Sequence, residues 1–171
     1  ANLCEFHKEK IRFNKNDKYI ISIRNPIQRF ISAFYWRLSK PVNEQKKFEQ
    51  YLFNNSININ DFIINYLDKL NDNYFRHITE DINFHLDEFL KNCSRKNIIA
   101  VISQDTFKDD MKNHFDIDVK IHNHKQKPYE KKISEEAYNI LKKYLHKDYE
   151  CIDKLFKMGC ISKKQYKLLS K

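Results

Sequence analysis

The sequence predicts an α/β fold in which a short parallel sheet is flanked by many helices. Two apolar runs rich in β-branched side chains, residues 19–23 and 97–102, have the length and composition of buried strands. Between and after these runs, apolar residues recur at the spacing of amphipathic helices. Strands separated by helices pair in parallel because the connection must cross over the sheet, so the pattern predicts a βαβ unit.

The composition indicates a folded chain that favours anionic partners. Its 171 residues are enough for a single domain, 1–171, with a substantial core, and 41% hydrophobic residues exclude a disordered chain. A formal net charge of +9 suits nucleic acids, anionic membranes, acidic glycans or nucleotides, without choosing among them. The sequence has no apolar run long enough to span a membrane. It leaves the compartment open, with the cytoplasm slightly favoured.

The first strand leads directly into the first helix. Residues 19–23 are strand-like, and after Pro26 the apolar period becomes that of one helix face, formed by Ile27, Phe30, Ile31, Phe34 and Leu38. Asn25 suits the N-cap, and Pro26 suits the first helical position because its missing N–H needs no partner there. Residues 18–38 are therefore predicted to form a buried strand, a tight turn and an amphipathic helix.

This turn carries the side chains of a candidate anion site. Arg24 lies at the strand end, beside a helix start whose free N–H groups and dipole favour an anion. Arg29 and Ser32 follow on the helix, and a guanidinium with a hydroxyl can hold a phosphate. These residues alone leave a plain strand–turn–helix with solvated arginines equally open.

The same residues resemble a known family motif. Arg24-Asn25-Pro26, Arg29 and Ser32-Ala33-Phe34 match the R-[ND]-P-x-x-R-x-x-S-x-[YF] signature of sulfotransferases, and the chain looks closest to the carbohydrate and uronyl 2-O-sulfotransferase-like branch. In that family the motif binds the 3′-phosphate of the donor 3′-phosphoadenosine 5′-phosphosulfate (PAPS). The resemblance implies a P-loop-kinase-like sulfotransferase fold, with Arg24 and Ser32 on the phosphate and Arg29 in support. It also implies a sugar or glycan hydroxyl as acceptor, an anionic glycan suiting the basic charge, and no metal.

The resemblance offers His7 as the catalytic base, because a histidine precedes the R-x-P strand in uronyl-type enzymes. Glu5 and Glu9 are rival carboxylate bases. A histidine in such a segment is also common as a surface or packing residue, so this alternative stays open.

The middle of the chain is predicted to be helical around the second strand. Helices are expected over residues 44–53, 59–70, 80–92 and 107–115, with a strand over 97–102. Residues 71–77 lie where sulfotransferases contact the acceptor. After the second strand the family often carries a glutamate, and Gln104-Asp105 departs from that pattern, so neither residue is assigned to catalysis.

A basic segment, residues 117–133, precedes the last predicted helix. The family has a loop here that closes over the donor nucleotide, which makes Lys125 and Lys127 candidates for donor binding. His122 and His124 form an H-x-H pair, but further ligands at metal-binding spacing are lacking, so a basic loop is the simpler interpretation.

The C-terminal part is predicted to be one long helix. Ser134 suits its N-cap, and Gly159, the one glycine of the sequence, suits its end. Residues 141–159 resemble the terminal Y-x-x-D-[YF]-x-x-[IL]…L-G helix of the sulfotransferases.

One family element is missing from this sequence. Sulfotransferases hold the 5′-phosphosulfate with a Lys- and Gly-containing turn after a strand, and only 23 residues, without glycine, precede Arg24. We therefore expect either that a further segment precedes these residues in the full protein or that the chain is a catalytically degenerate relative. A basic nucleic-acid-binding module remains the alternative from another class, although no nucleic-acid-binding motif supports it.

The four cysteines, Cys4, Cys93, Cys151 and Cys160, form no C-x-x-C pair. Free buried thiols are the preferred interpretation, and two disulfides stay open for an oxidising compartment.

Overall fold

The computed structural model describes residues 13–39, 47–55, 57–69, 78, 81–120 and 132–171. Within these ranges lie the strands β1 (Tyr19–Ile23) and β2 (Ile98–Ser103) and the helices α1 (Pro26–Leu38), α2 (Lys47–Asn54), α3 (Ile59–Tyr66), α4 (Ile82–Asn92), α5 (Phe107–Phe115), α6 (Glu135–Tyr144), α7 (His146–Lys157) and α8 (Lys163–Leu169). Short 3₁₀ turns occupy Leu67–Lys69, Arg95–Asn97 and Gln104–Thr106. The predicted helix-rich α/β class with a short parallel sheet is confirmed.

The chain divides into two compact units. The first contains Ala1–Asn25, Ile82–Ile121 and Lys147–Lys171, and the second contains Pro26–Asp81 and His122–His146. The single sulfotransferase-like domain over residues 1–171 stays a prediction.

The first unit is built on the parallel pair β1–β2. Ile21 lies opposite Val101 and Ile23 opposite Ser103, so both strands end at the same edge of the sheet. The sheet packs in one hydrophobic cluster with Leu86 and Phe89 of α4 and with Ile152 and Leu155 of α7. The predicted parallel βαβ pairing is confirmed. The prediction that the first strand is buried is only half right, because Ile21 and Ile23 are buried whereas Ile20 is 44% exposed. The strand therefore turns one face to the core and the other to solvent.

The second unit is a helical cluster with an aromatic core. Phe30 and Phe34 of α1 and Phe62 of α3 are fully buried, and the rings of Phe34 and Phe62 are 5.1 Å apart. The helix α3 begins where Asn58 accepts hydrogen bonds from the amides of Asn60 and Asp61, as an N-cap should. The predicted helical period of α1 therefore gives the buried face of this unit.

The prediction of one long C-terminal helix is wrong, because the structure has two helices there. The structure divides it into α6 and α7 at Leu145, whose amide bonds back to the carbonyl of Leu141. Leu141 and Leu145 are buried with the second unit, whereas Ile152 and Leu155 belong to the core of the first. The apolar residues that the sequence places on one helix face are therefore buried in two different cores. The apolar period alone does not show where the helix is interrupted.

Candidate functional site

The predicted strand–turn–helix is present. β1 ends at Ile23 and α1 begins at Pro26, so Arg24 and Asn25 alone make the connection. This places Arg24 at the carboxyl end of a parallel strand, the edge at which open α/β sheets bind ligands.

Arg24 is half-buried, and its Nε atom lacks a hydrogen-bond partner in the described part of the chain. Burial lowers the pKa of the guanidinium, and the nearby carboxylate of Asp105 acts against that lowering. Arginine nevertheless stays protonated in proteins, so the site keeps a positive charge. A buried donor without an acceptor costs roughly 1–3 kcal/mol, and an anionic ligand could relieve that cost.

Two further polar groups lie at the same edge of the sheet. Asp105, in the turn after β2, is exposed and close enough to Arg24 for their charges to interact. Ser103, the last residue of β2, is 0% exposed, and its Oγ has no hydrogen-bond partner among the described residues. Within the described chain, the edge therefore brings together the Arg24 cation, the Asp105 carboxylate and two buried polar atoms, Arg24 Nε and Ser103 Oγ, without hydrogen-bond partners.

A buried polar network holds the backbone of this edge. The carboxylate of Asp110 accepts hydrogen bonds from the amide of Ser103 (2.8 Å), from Thr106 Oγ1 (2.7 Å) and from Gln165 Nε2 (3.1 Å). Gln165 Nε2 also donates to the carbonyl of Val101 at 2.9 Å. The end of β2 is thereby fixed to α5 and α8.

The helix α8 and the role of Asn25 were not predicted. Ser162 and Gln165 form a capping box at the start of α8, and this S-x-x-Q spacing was visible in the sequence. The Asn25 amide donates to the carbonyls of Leu169 (3.1 Å) and Lys171 (3.0 Å). No local pattern points to these long-range contacts of Asn25.

Arg29 and Ser32 lie on α1, in the second unit. Arg29 Nη1 donates to the backbone carbonyl of Ile78 at 3.4 Å, a contact that supports the helix. Ser32 is half-buried.

The remaining predicted site residues, His7, Lys125 and Lys127, lie outside the described residues, as does the H-x-H pair His122 and His124. Within the ranges that the structure describes, His, Cys, Asp and Glu side chains form no group of three able to hold a metal ion. In those same ranges, every helix is too short or too polar to cross a membrane.

Comparison with known proteins finds no match, whether with family models, curated sequences or solved structures.

Proposed function

We propose that this chain is the donor-binding part of a sulfotransferase that moves a sulfuryl group from PAPS to a hydroxyl, with a carbohydrate as acceptor. The observation that carries the proposal is the half-buried Arg24, whose Nε lacks a partner among the described residues, in the two-residue turn between β1 and α1. The R-N-P-x-x-R-x-x-S-A-F motif assigns that arginine to a phosphate. From the same resemblance we propose that the α/β fold is of the P-loop-kinase-like type.

The proposed roles follow from the resemblance of these residues to the sulfotransferase pattern. The bond between sulfur and the 5′-phosphate oxygen of PAPS breaks as a bond from sulfur to the acceptor oxygen forms. The acceptor proton passes to a base, for which His7 is the candidate, and adenosine 3′,5′-bisphosphate leaves. Arg24 and Ser32 hold the 3′-phosphate and thereby orient the donor, and Lys125 and Lys127 add positive charge to the nucleotide.

Calorimetric titration with adenosine 3′,5′-bisphosphate tests the donor site. Saturable binding should weaken at least about tenfold in Arg24→Ala, because a charge-assisted hydrogen bond contributes roughly 1.5–3 kcal/mol. Ser32→Ala should weaken binding less, because its hydroxyl is uncharged. Arg37→Ala is the matched control, since it removes the same charge from α1 outside the motif and should leave the affinity nearly unchanged.

The titration also separates the alternatives. Equal losses in Arg24→Ala and Arg37→Ala would mean that the nucleotide senses only general positive charge. Stronger, steeply salt-dependent binding to duplex nucleic acid would favour the nucleic-acid-binding module. Specific nucleotide binding without sulfation of any carbohydrate by the full-length protein would identify a degenerate relative.

A further inference from the structure

The described part of the first unit contains three cysteine thiols around one hydrophobic cluster. Cys151 and Cys160 are buried members of this cluster, and Cys93 is half-buried and packs against it. None of the three belongs to the candidate donor site, so their chemistry is independent of the proposed function.

The turn after α7 directs Cys160 into the core. Gly159 adopts a φ of +69°, a left-handed conformation in which glycine is strongly favoured, so the chain reverses directly after the helix. The amide of Cys160 then bonds to the carbonyl of Leu155 at 2.9 Å. The Cys160 side chain is left 7% exposed.

A hydrogen bond brings the segment of Cys93 to this turn. Cys93 follows α4, and two residues later Arg95 Nε donates to the carbonyl of Gly159 at 3.2 Å. Cys160 directly follows Gly159, and Cys93 lies two residues before Arg95, so both thiols are near this contact. Their proximity is independent of local sequence, since 66 residues lie between Cys93 and Cys160.

The pKa shifts of the two thiols agree with a position of Cys93 near Cys160. Burial raises the pKa of the Cys93 thiol and the charge of Cys160 raises it further, while Lys154 acts in the opposite direction. Burial also raises the pKa of Cys160, against the effect of Arg95. Both groups are therefore mainly protonated at neutral pH, which slows oxidation and keeps them as thiols under reducing conditions.

We propose that under oxidising conditions Cys93 and Cys160 form a disulfide that ties the end of α4 to the turn between α7 and α8. Hydrogen peroxide oxidises the more exposed Cys93 to a sulfenic acid and releases one water. The Cys160 sulfur attacks the Cys93 sulfur, the S–S bond forms, and the hydroxyl leaves with the Cys160 proton as a second water. Cys151 lies on α7 as a third thiol of the same cluster and is the internal competitor.

Peptide mapping of the whole chain after mild peroxide treatment tests the pairing. Trypsin separates the cysteines into peptides 1–8, 92–95, 148–154 and 158–163, so each disulfide gives a distinct linked mass. We expect the 92–95 peptide linked to 158–163, released by a thiol reductant. Cys93→Ser and Cys160→Ser should each abolish this species, and Cys151→Ala should retain it.

A second arm separates native geometry from random pairing. The same oxidation in concentrated urea should scramble the linkage among all four cysteines. The oxidised native protein should also unfold at a higher urea concentration than the reduced one, because a disulfide restricts the unfolded chain. Native oxidation that gives no linkage, or links Cys151 instead, would overturn the proposal.

Discussion

Arg24 and Asp105 lie near each other at the carboxyl edge of the sheet, beside the hydrogen-bonded carboxylate of Asp110. Arg24 is half-buried with an Nε that lacks an acceptor in the described part of the chain, and Asp105 supplies the neighbouring negative charge. An incoming phosphate must therefore overcome repulsion from Asp105 while it gains attraction from Arg24.

We expect Asp105→Asn to tighten the binding of adenosine 3′,5′-bisphosphate by about two- to fivefold, the range of an exposed charge interaction. Asp109→Asn is the matched control, because its carboxylate is already paired with Lys164 at 2.7 Å. Calorimetry compares the two variants. A weaker affinity in Asp105→Asn would mean that the carboxylate positions Arg24 rather than competing for it.

The buried thiols give a pH dependence of known sign. The pKa values of Cys93 and Cys160 are raised in the folded state by burial, so the folded chain holds these protons longer than the unfolded chain. The contribution of these two thiols to the free energy of unfolding is therefore fully present below the unfolded thiol pKa of about 8.5. It is lost as the pH rises above that value. Under reducing conditions, urea unfolding of the wild type should show a steeper loss above that pH than Cys160→Ser. Identical slopes would contradict this prediction.

At the scale of elements, long-range caps decide where helices begin. Asp148 of α7 is 1% exposed and accepts hydrogen bonds from the amides of Ile82 (3.3 Å) and Asn83 (2.9 Å) at the start of α4. These amides have no partner within their own helix, and a carboxylate at that end also suits the helix dipole.

We expect Asp148→Ala to lower the free energy of unfolding by about 1–3 kcal/mol, because it leaves these amides without their acceptor. Asp148→Asn should lose less, since one side-chain oxygen remains. Glu150→Ala serves as the control, because Glu150 is exposed on the same helix. Urea unfolding measures all three, and equal stability of Asp148→Ala and Glu150→Ala would argue against the cap.

The turn at Gly159 is the second decisive element. A side-chain carbon added at Gly159 would meet no described atom within 4 Å, so a substitution there is opposed by the backbone conformation alone. Gly159→Ala should destabilise the chain by roughly 1–2 kcal/mol, and Gly159→Asn by less, because asparagine tolerates the left-handed region better. Thermal unfolding compares them, and an unchanged midpoint for Gly159→Ala would contradict the prediction.

At the scale of the whole molecule, the net charge of +9 adds a long-range attraction for anions. Added salt should weaken nucleotide binding to the wild type, because it screens the exposed lysines. The ratio of wild-type to Arg24→Ala affinities should change much less, because a half-buried contact is screened less. Calorimetry at low and high sodium chloride tests this prediction. If the affinity ratio falls to one at high salt, Arg24 acts only through long-range charge attraction and not through a specific contact.

Short-range patterns were sufficient for β1, α1 and the turn at Arg24, because periodicity, capping and proline placement act over a few residues. They also predicted the parallel strand pair, since a strand, helices and a second strand of the same sheet are typically joined by a crossover connection. The function stays a prediction that rests on the motif at Arg24 and on the resemblance of residues 141–159 to the terminal helix of the sulfotransferases.

Tertiary structure alone decided which groups meet. Asn25 bonds to a carbonyl 144 residues away, and Asp148 caps a helix 66 residues before it. It also divided the predicted long helix at Leu145, because its apolar face is buried in two different cores. Such contacts form only when distant parts of the chain pack together. Local residue spacing therefore cannot predict them.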